Sequence, residues 1–432
     1  MKPLSKVCLT GVLAFIAFSG IYLAAQDLSA KSVPAAPGSA GAGQAGEKKG
    51  RAARNSEITV KVASSQAVLA YLKAPGQRTL AAALETCLAA REKLADDLLN
   101  DFFLAFCYHE AGDAAGEARA LAAHAAEQQD MYRYIFYEHR AELADSLYLL
   151  PAYICRQLRE SANAAGSFPA GAKCPCFGGP VSVEQYRGGK RAHSRYLCPK
   201  CDEMLGLQER KMMGNELLRV KENSLNSILF VVAAFHKDRR RGGPGQAGPD
   251  SYLDLFGIRE GQVLADIGCG IGEYTFSLAR MAGPKGKVYA EDIDPNAVGL
   301  IKYCVAKGGI KNIEPVLGTP TEMGIPPGTL DTAVLMNVSR GMAQELDSWK
   351  EADREAFYEK FFAGIRKTLK KDGALVLFDS LDPAFDVSVK KVAAELRKRN
   401  FRLVSDKSPA GDRRLILIFK IATPDGKAAG GI

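Results

Sequence analysis

Val263-Leu264-Ala265-Asp266-Ile267-Gly268-Cys269-Gly270-Ile271-Gly272-Glu273 reads as a strand, a glycine turn and the start of a helix. Ala265 and Ile267 continue an apolar β-type run from Val263, and glycines then take every second position. Glu273 opens a helical pattern carried by Phe276, Leu278 and Ala279. Such a turn lets a nucleotide-like ligand approach the backbone closely, because a Cβ there blocks positive φ and fills the space a ligand atom must cross. An acid some twenty positions on, at the end of the next apolar run, can hold ribose hydroxyls. Asp292 stands at that place.

Spacing separates two ligand classes. A GxGxxG turn points to a dinucleotide-binding enzyme, and an NAD(P)-dependent oxidoreductase is one alternative. Here the turn is GxGxG, with Asp266 two residues before its first glycine. With the segments that follow, this pattern resembles the class I S-adenosylmethionine-dependent methyltransferases. Residues 287–295 look like the family's second strand, 312–318 the third, 330–337 the fourth and 369–379 the fifth after its usual turn. Residues 401–404 and 414–419 fit its terminal antiparallel hairpin. Phe357, Phe361, Ile365 and Leu369 recur at four-residue spacing, the mark of a helix packed on a sheet, and Val389, Val392 and Leu396 suggest another. Strands alternating with helices imply a mostly parallel sheet covered on both faces. The fold expected is therefore α/β, a Rossmann-like seven-stranded methyltransferase domain at the carboxyl end, with the resemblance running from Asp254 to Lys420.

What the resemblance implies about the site follows residue by residue. S-adenosyl-L-methionine is the expected cofactor, with Asp266, Gly268, Cys269, Gly270 and Gly272 along it, Asp292 and Ile293 at its ribose, and Asn337 beside the transferred methyl. Relatives often carry Gly-Asp after the third strand; this chain has Gly318-Thr319-Pro320-Thr321-Glu322. Thr319, with a hydroxyl in place of the acid, or Glu322, reaching back, is then the candidate adenine contact, and a plain surface loop is the alternative. Asn337 and Asp379 are the catalytic candidates, with a strand-end cap and a turn cap as their ordinary roles. In-line methyl transfer needs alignment more than a dedicated base. Small-molecule, protein and RNA acceptors all remain open, as does a cofactor-binding scaffold without chemistry.

Cys174-Pro175-Cys176 and Cys198-Pro199-Lys200-Cys201 flank 21 residues that include Gly178, Gly179, Gly188 and Gly189. The arrangement resembles a zinc ribbon, in which two thiolate pairs, Cys174 and Cys176 with Cys198 and Cys201, supply four soft tetrahedral ligands to a structural zinc. Its first pair is one residue shorter than CxxC, His193 is a substitute ligand, and disulfides or free thiols are the alternative. Tyr186, Arg187, Lys190, Arg191, Arg195 and Tyr196 lie between the pairs. Certain ribosomal RNA methyltransferases resemble this order of modules, so RNA contact through the ribbon is a second functional reading beside an ordinary solvated loop.

The remaining chain sorts by composition. Residues 7–25 carry no charge and follow Lys2 and Lys6, so 1–28 reads as a signal peptide or membrane anchor. Residues 29–55 form an Ala/Gly/Pro/Lys linker without core-forming side chains, and 56–165 a helical domain rich in alanine and leucine, with Cys87, Cys107 and Cys155 as core thiols. The ribbon-like module takes 170–206, a helical linker 207–250, the catalytic domain 251–421 and a flexible tail 422–432. Export suits the amino-terminal lysines, whereas the cofactor and thiolate zinc suit a reducing compartment; a membrane-associated enzyme held through 7–25 and an exported one both stand. A net charge of +8 over 432 residues mildly favours acidic partners.

Overall fold

The computed structural model describes residues 59–94, 97–165, 182–188, 191–197, 200–201, 252–339, 350–380, 386–410 and 414–422, with Leu225, Ile228, Leu229, Val232, Met342 and Leu346. They fall into two compact units, one before residue 238 and one after it.

In the first unit, helix α1 (59–73) is followed by α2 (Gln77–Lys93), α3 (Leu98–Glu110), α4 (Ala114–Leu121), α5 (Ala126–Arg133) and α6 (Arg140–Ala165). Every residue of α3 from Leu98 to Cys107 is buried, which makes it the central helix. Asp97 starts it by accepting the N–H of Asn100 at 3.0 Å, and Asp113 starts α4 by accepting that of Gly116 at 2.8 Å. Phe102, Phe103 and Phe106 meet Tyr132 and Phe136 edge-on or tilted, at centroid distances of 5.3–6.4 Å. Cys87 and Cys107 are buried in this core. Farther on, β1 (Ser182–Gly188) and β2 (Arg191–Leu197) pair antiparallel, Ser182 opposite Leu197 and Tyr186 opposite His193.

The second unit is built on a seven-stranded mixed sheet. Its strands are β3 (Val263–Ile267), β4 (Lys287–Asp292), β5 (Ile313–Leu317), β6 (Leu330–Met336), β7 (Leu369–Ser380), β8 (Phe401–Asp406) and β9 (Arg414–Ile421). They lie in the order β5-β4-β3-β6-β7-β9-β8, with the first five parallel and β9 antiparallel to both β7 and β8. Helices α7 (Thr275–Ala282), α8 (Pro295–Gly308), α9 (Glu351–Thr368) and α10 (Asp386–Lys398) make the crossovers. Phe361 and Ile365 of α9 with Val392 and Leu396 of α10 cover one face over Ala333, Leu335, Leu375 and Leu377, all buried. The chain winds outward from β3 through β4 to β5, then returns past β3 to β6 and β7. The crevice above the β3/β6 boundary is thus the switch point where open α/β sheets take their ligands.

Local chemistry sets the boundaries. The second strand, expected to run through 295, ends at Asp292 because Asp294 caps α8: its carboxylate accepts the Asn296 N–H at 2.9 Å, Pro295 opens the helix, and Gly309 closes it at φ 61°. The first helix begins at Thr275 rather than at Glu273. The turn expected before the fifth strand is folded into β7 as a bulge: Leu369 already faces Leu330, and pairing resumes at Ala374 opposite Thr332, so four residues of β7 oppose one of β6.

Three of the four candidate zinc ligands, Cys174, Cys176 and Cys198, lie outside the described residues, and Cys201 is buried. Among the described residues, no group of three or more histidines, cysteines or acids is placed to hold a metal ion. Residues 7–25 also lie outside them; among the described residues no helix is long and apolar enough to cross a membrane.

Candidate functional site

Three strand ends meet at the switch point. The turn after β3 holds Gly268, Gly270 and Gly272 at φ 72°, 55° and 85°, so all three take the left-handed conformation that favours glycine. Their surroundings differ. A Cβ on Gly268 would lie 2.7 Å from Val338 Cγ2, and one on Gly272 2.8 Å from Phe276 Cε2. A Cβ on Gly270 meets nothing within 4 Å. Two of the glycines therefore let protein pack on protein, and only Gly270 faces open space.

Beside the turn, Asp292 ends β4 completely buried. Its Oδ2 accepts the Gly270 N–H and its Oδ1 the Asp294 N–H, each at 2.8 Å. The acid thereby ties the glycine turn to the start of α8. Burial pushes its carboxyl up to about 7, against the pull of those two N–H groups and with Asp294 and Asp266 adding repulsion. Asp266, inside β3, is also buried and pushed up to about 7 by desolvation, while the Thr275 hydroxyl donates to its Oδ2 at 2.6 Å and opposes the rise. Asp266 thus anchors the first residue of α7, and the turn is clamped at both ends by carboxylates. Cys269 is buried between them and its thiol is held well above the usual range, first by desolvation and then by Asp292, Asp266 and Glu291. A buried thiol held protonated in this way is poorly suited to act as a nucleophile. Ile293 is half-buried beside Asp292.

Across the crevice, Asn337 follows β6. It is 3% exposed and adopts φ 57°, a conformation rare outside glycine. Its N–H donates to Phe378 O at 2.8 Å, but neither Nδ2 nor Oδ1 of its side chain has a hydrogen-bond partner among the described residues. On the next strand Asp379 is buried and accepts a short hydrogen bond from the Ser339 hydroxyl. The sheet thus brings the two catalytic candidates to neighbouring strand ends, Asp379 fixing the segment after Asn337. Tyr252, Phe256 and Tyr274 gather on Phe378 at centroid distances of 5.6–6.1 Å and close the opposite side of β7.

The loop after β5 holds both candidate adenine contacts at the surface. Thr319 is exposed, and its hydroxyl accepts the Glu322 N–H at 2.9 Å, so that oxygen serves its own turn. Glu322 is exposed as well. Glu291, not among the residues singled out from the sequence, packs against Gly318: it is 2% exposed, and a Cβ on Gly318 would overlap its Oε1. A charged residue at an inward position of an apolar strand was the available signal. Thr275, Ser339 and Val338 were also unforeseen, since only folding brings them to Asp266, Asp379 and Gly268.

Comparison with known proteins gives the same direction. Demethylmenaquinone methyltransferase of Bacillus subtilis (strain 168) is 24% identical over 134 residues, which are 31% of this chain and 52% of that protein. The enzyme of the same name from Lactococcus lactis subsp. lactis (strain IL1403) is 27% identical over 148 residues, 34% of this chain and 53% of the other. The chain spans about half the length of the curated relatives it matches. Among solved structures, a SAM dependent methyltransferase from Aquifex aeolicus is 24% identical with a TM-score of 0.34, covering 40% of this chain and 89% of its own. The carboxyl-terminal unit accordingly contains a stretch, residues 258–412, that matches the family model described as a methyltransferase domain.

Proposed function

We propose that this chain transfers the methyl group of S-adenosylmethionine to an acceptor bound over the ends of β6 and β7. One observation carries the reading: Asn337 is held buried in a left-handed conformation at the switch point with both side-chain polar atoms unpartnered among the described residues. Burying an amide without partners costs about 1–3 kcal/mol per group, and so does the backbone strain. Such a residue fits a site built for a polar ligand. The open space at Gly270 and the carboxylate of Asp292 beside it fit the same ligand.

When bound, the cofactor supplies an activated methyl on a sulfonium and a neutral leaving group. The chain's residues have the remaining tasks. Gly270 leaves room for close approach, Asp292 receives ribose hydroxyls while holding the turn, and Asn337 offers a donor and an acceptor beside the reacting carbon. Asp379 and Ser339 fix the Asn337 segment, and the Tyr252–Phe256–Tyr274–Phe378 group keeps water from the β7 side. Alignment of this kind supplies roughly 7–11 kcal/mol of barrier lowering without a covalent intermediate. Calorimetry with S-adenosylhomocysteine and with NADH tests the reading: binding of the first alone supports it, and binding of the nicotinamide alone rejects it. Label from methyl-tritiated cofactor appearing in one fraction of a lysate would identify the acceptor; cofactor binding with no labelled fraction would favour a scaffold.

Two further parts belong to this proposal. Cys174, Cys176, Cys198 and Cys201 are proposed to hold a structural zinc, a reading supported by their spacing on either side of the β1–β2 hairpin, in which Ser182 lies opposite Leu197. About one zinc per chain after purification under reducing conditions is expected, and a metal-free folded protein would remove it. Residues 7–25 are proposed to bring the enzyme to a membrane; equal sedimentation with vesicles by the full chain and by one lacking 1–28 would remove that.

A further inference from the structure

Helix α2 buries only small residues, Ala83, Cys87 and Ala90, which recur at four- and three-residue spacing along one face. That helix packs on α3, where Asn100 and Cys107 stand two turns apart on the same side. Asn100 fixes the register between them: its Nδ2 donates to the Cys87 carbonyl at 3.1 Å, while its Oδ1 accepts the Ser64 hydroxyl of α1 at 3.0 Å. In that register the thiols of Cys87 and Cys107 share a hydrogen bond, and both residues are fully buried.

The approach of the two helices suits a covalent bond at this point. Axes about 8–10 Å apart, less two Cα radii of about 2.3 Å, leave about 3.4–5.4 Å between facing Cα atoms, and a disulfide spans roughly 4.4–6.8 Å. Ala83 and Ala90, on either side of Cys87, keep the approach close. We propose that Cys87 and Cys107 are a redox pair that closes to an intramolecular disulfide, stapling α2 to α3. The oxidant is the disulfide of a small thiol or of a protein. One cysteine thiolate attacks it and releases a thiol; the second attacks the mixed disulfide so formed and releases another. Two hydrogens thereby pass from the pair to the donor, which is reduced as the pair is oxidised. The shared hydrogen bond first, and burial second, hold the Cys107 thiol protonated, far above the usual range. Exchange needs a thiolate with access to the donor, so packed helices close slowly and parted ones fast. The pair therefore takes the redox state of the compartment in which the chain folds and retains it afterwards. Closure rings the 21 residues from Cys87 to Cys107 and restricts the unfolded chain.

The test refolds the full chain in glutathione buffer, either mostly oxidised or fully reduced. Trypsin leaves the two thiols in separate peptides, Thr79–Arg91 and Leu94–Arg119, each with one cysteine. From the oxidised sample these peptides are expected joined, two hydrogens lighter than the separate pair, and dithiothreitol should part them. The oxidised chain should keep its helical ellipticity to a temperature about 5 °C or more above that of the reduced chain. Cys87→Ala should remove that difference, and Cys107→Ala serves the same purpose should the first variant not fold. Native reduced chain placed in the oxidised buffer should yield the joined peptides at least about tenfold more slowly than the refolding chain. Absence of the joined peptides after oxidative refolding, or either cysteine joined mainly to another partner, overturns the proposal. A difference in unfolding temperature that survives in the alanine variant does so too, as does closure in the native chain as fast as during refolding.

Discussion

The three glycines of the turn respond to the same substitution in different ways. All have positive φ, so alanine at any of them costs about 1–2 kcal/mol from the left-handed backbone. Gly270→Ala adds nothing further, because its Cβ enters open space. Gly268→Ala adds a contact at 2.7 Å with Val338 Cγ2, roughly 1 Å inside the carbon–carbon optimum. Overpacking of that kind costs about 1–3 kcal/mol, for a total of about 2–5 kcal/mol. Urea denaturation should therefore rank Gly268→Ala well below Gly270→Ala in midpoint. Ligand titration should give the opposite emphasis: Gly270→Ala loses about tenfold or more in affinity for S-adenosylhomocysteine, about 1.4 kcal/mol, because its methyl stands in the ligand's path. Val338→Ala supplies the control. Alone it costs roughly 1–2 kcal/mol in lost burial, but combined with Gly268→Ala it removes the clash, so the double variant should be about 1–3 kcal/mol more stable than the sum of the singles. Equal midpoints for Gly268→Ala and Gly270→Ala, or wild-type affinity in Gly270→Ala, would refute the division of the turn into packing and ligand-facing glycines.

Asn337→Gly should leave the protein as stable as the wild type or more so, since it removes two unpartnered polar atoms and relieves the left-handed strain, while methyl transfer falls; a lower melting temperature would contradict this. Thr275→Val removes the donor to Asp266 Oδ2, so the carboxyl should titrate above its present value of about 7 and stability should drop by about 1–3 kcal/mol, both readable by carboxyl-carbon NMR and denaturation. Cofactor affinity should rise with pH through about 7 and level off above it: ribose hydroxyls favour ionised Asp292, whose free-state carboxyl is pushed up to about 7, so binding at lower pH must first release its proton. Asp292→Asn should bind more weakly and lose that component of the pH dependence, and a flat wild-type profile from pH 6 to 8 would exclude it.

The sheet was legible because its signals are local. Apolar runs of β period, the glycines of 268–272 and the four-residue spacing of Phe357, Phe361 and Ile365 each reflect a short segment's own geometry, and together with the family resemblance they located every strand of the carboxyl-terminal sheet to within a few residues. Errors at the ends had local causes as well. Asp294 is read equally well as a strand residue or a cap until the next helix is seen to need it. The bulge at Lys370–Gly373 looks like a turn because its composition suits both. The site was less legible because it is made of contacts between strands distant in sequence. Asp266 and Asp292 were readable from spacing, whereas the partners Thr275, Val338 and Ser339 acquire roles only when β3, β6 and β7 lie side by side.

The distribution of unfavourable groups is the strongest physical sign of where this protein acts. Asp266, Glu291, Asp292 and Asn337 are all buried, and all lie on β3, β4 and β6 at or near their carboxyl ends. Three are acids that burial holds above the ordinary carboxylate range, and two carry unpartnered polar atoms among the described residues. Each costs a fraction of the stability that Leu335, Leu375 and Leu377 gain beneath α9 and α10. Apolar residues at these positions would give a more stable sheet with the same topology. A fold that gathers such costs on one edge of an otherwise apolar sheet, around the glycine facing open space, is arranged for a polar ligand to complete it.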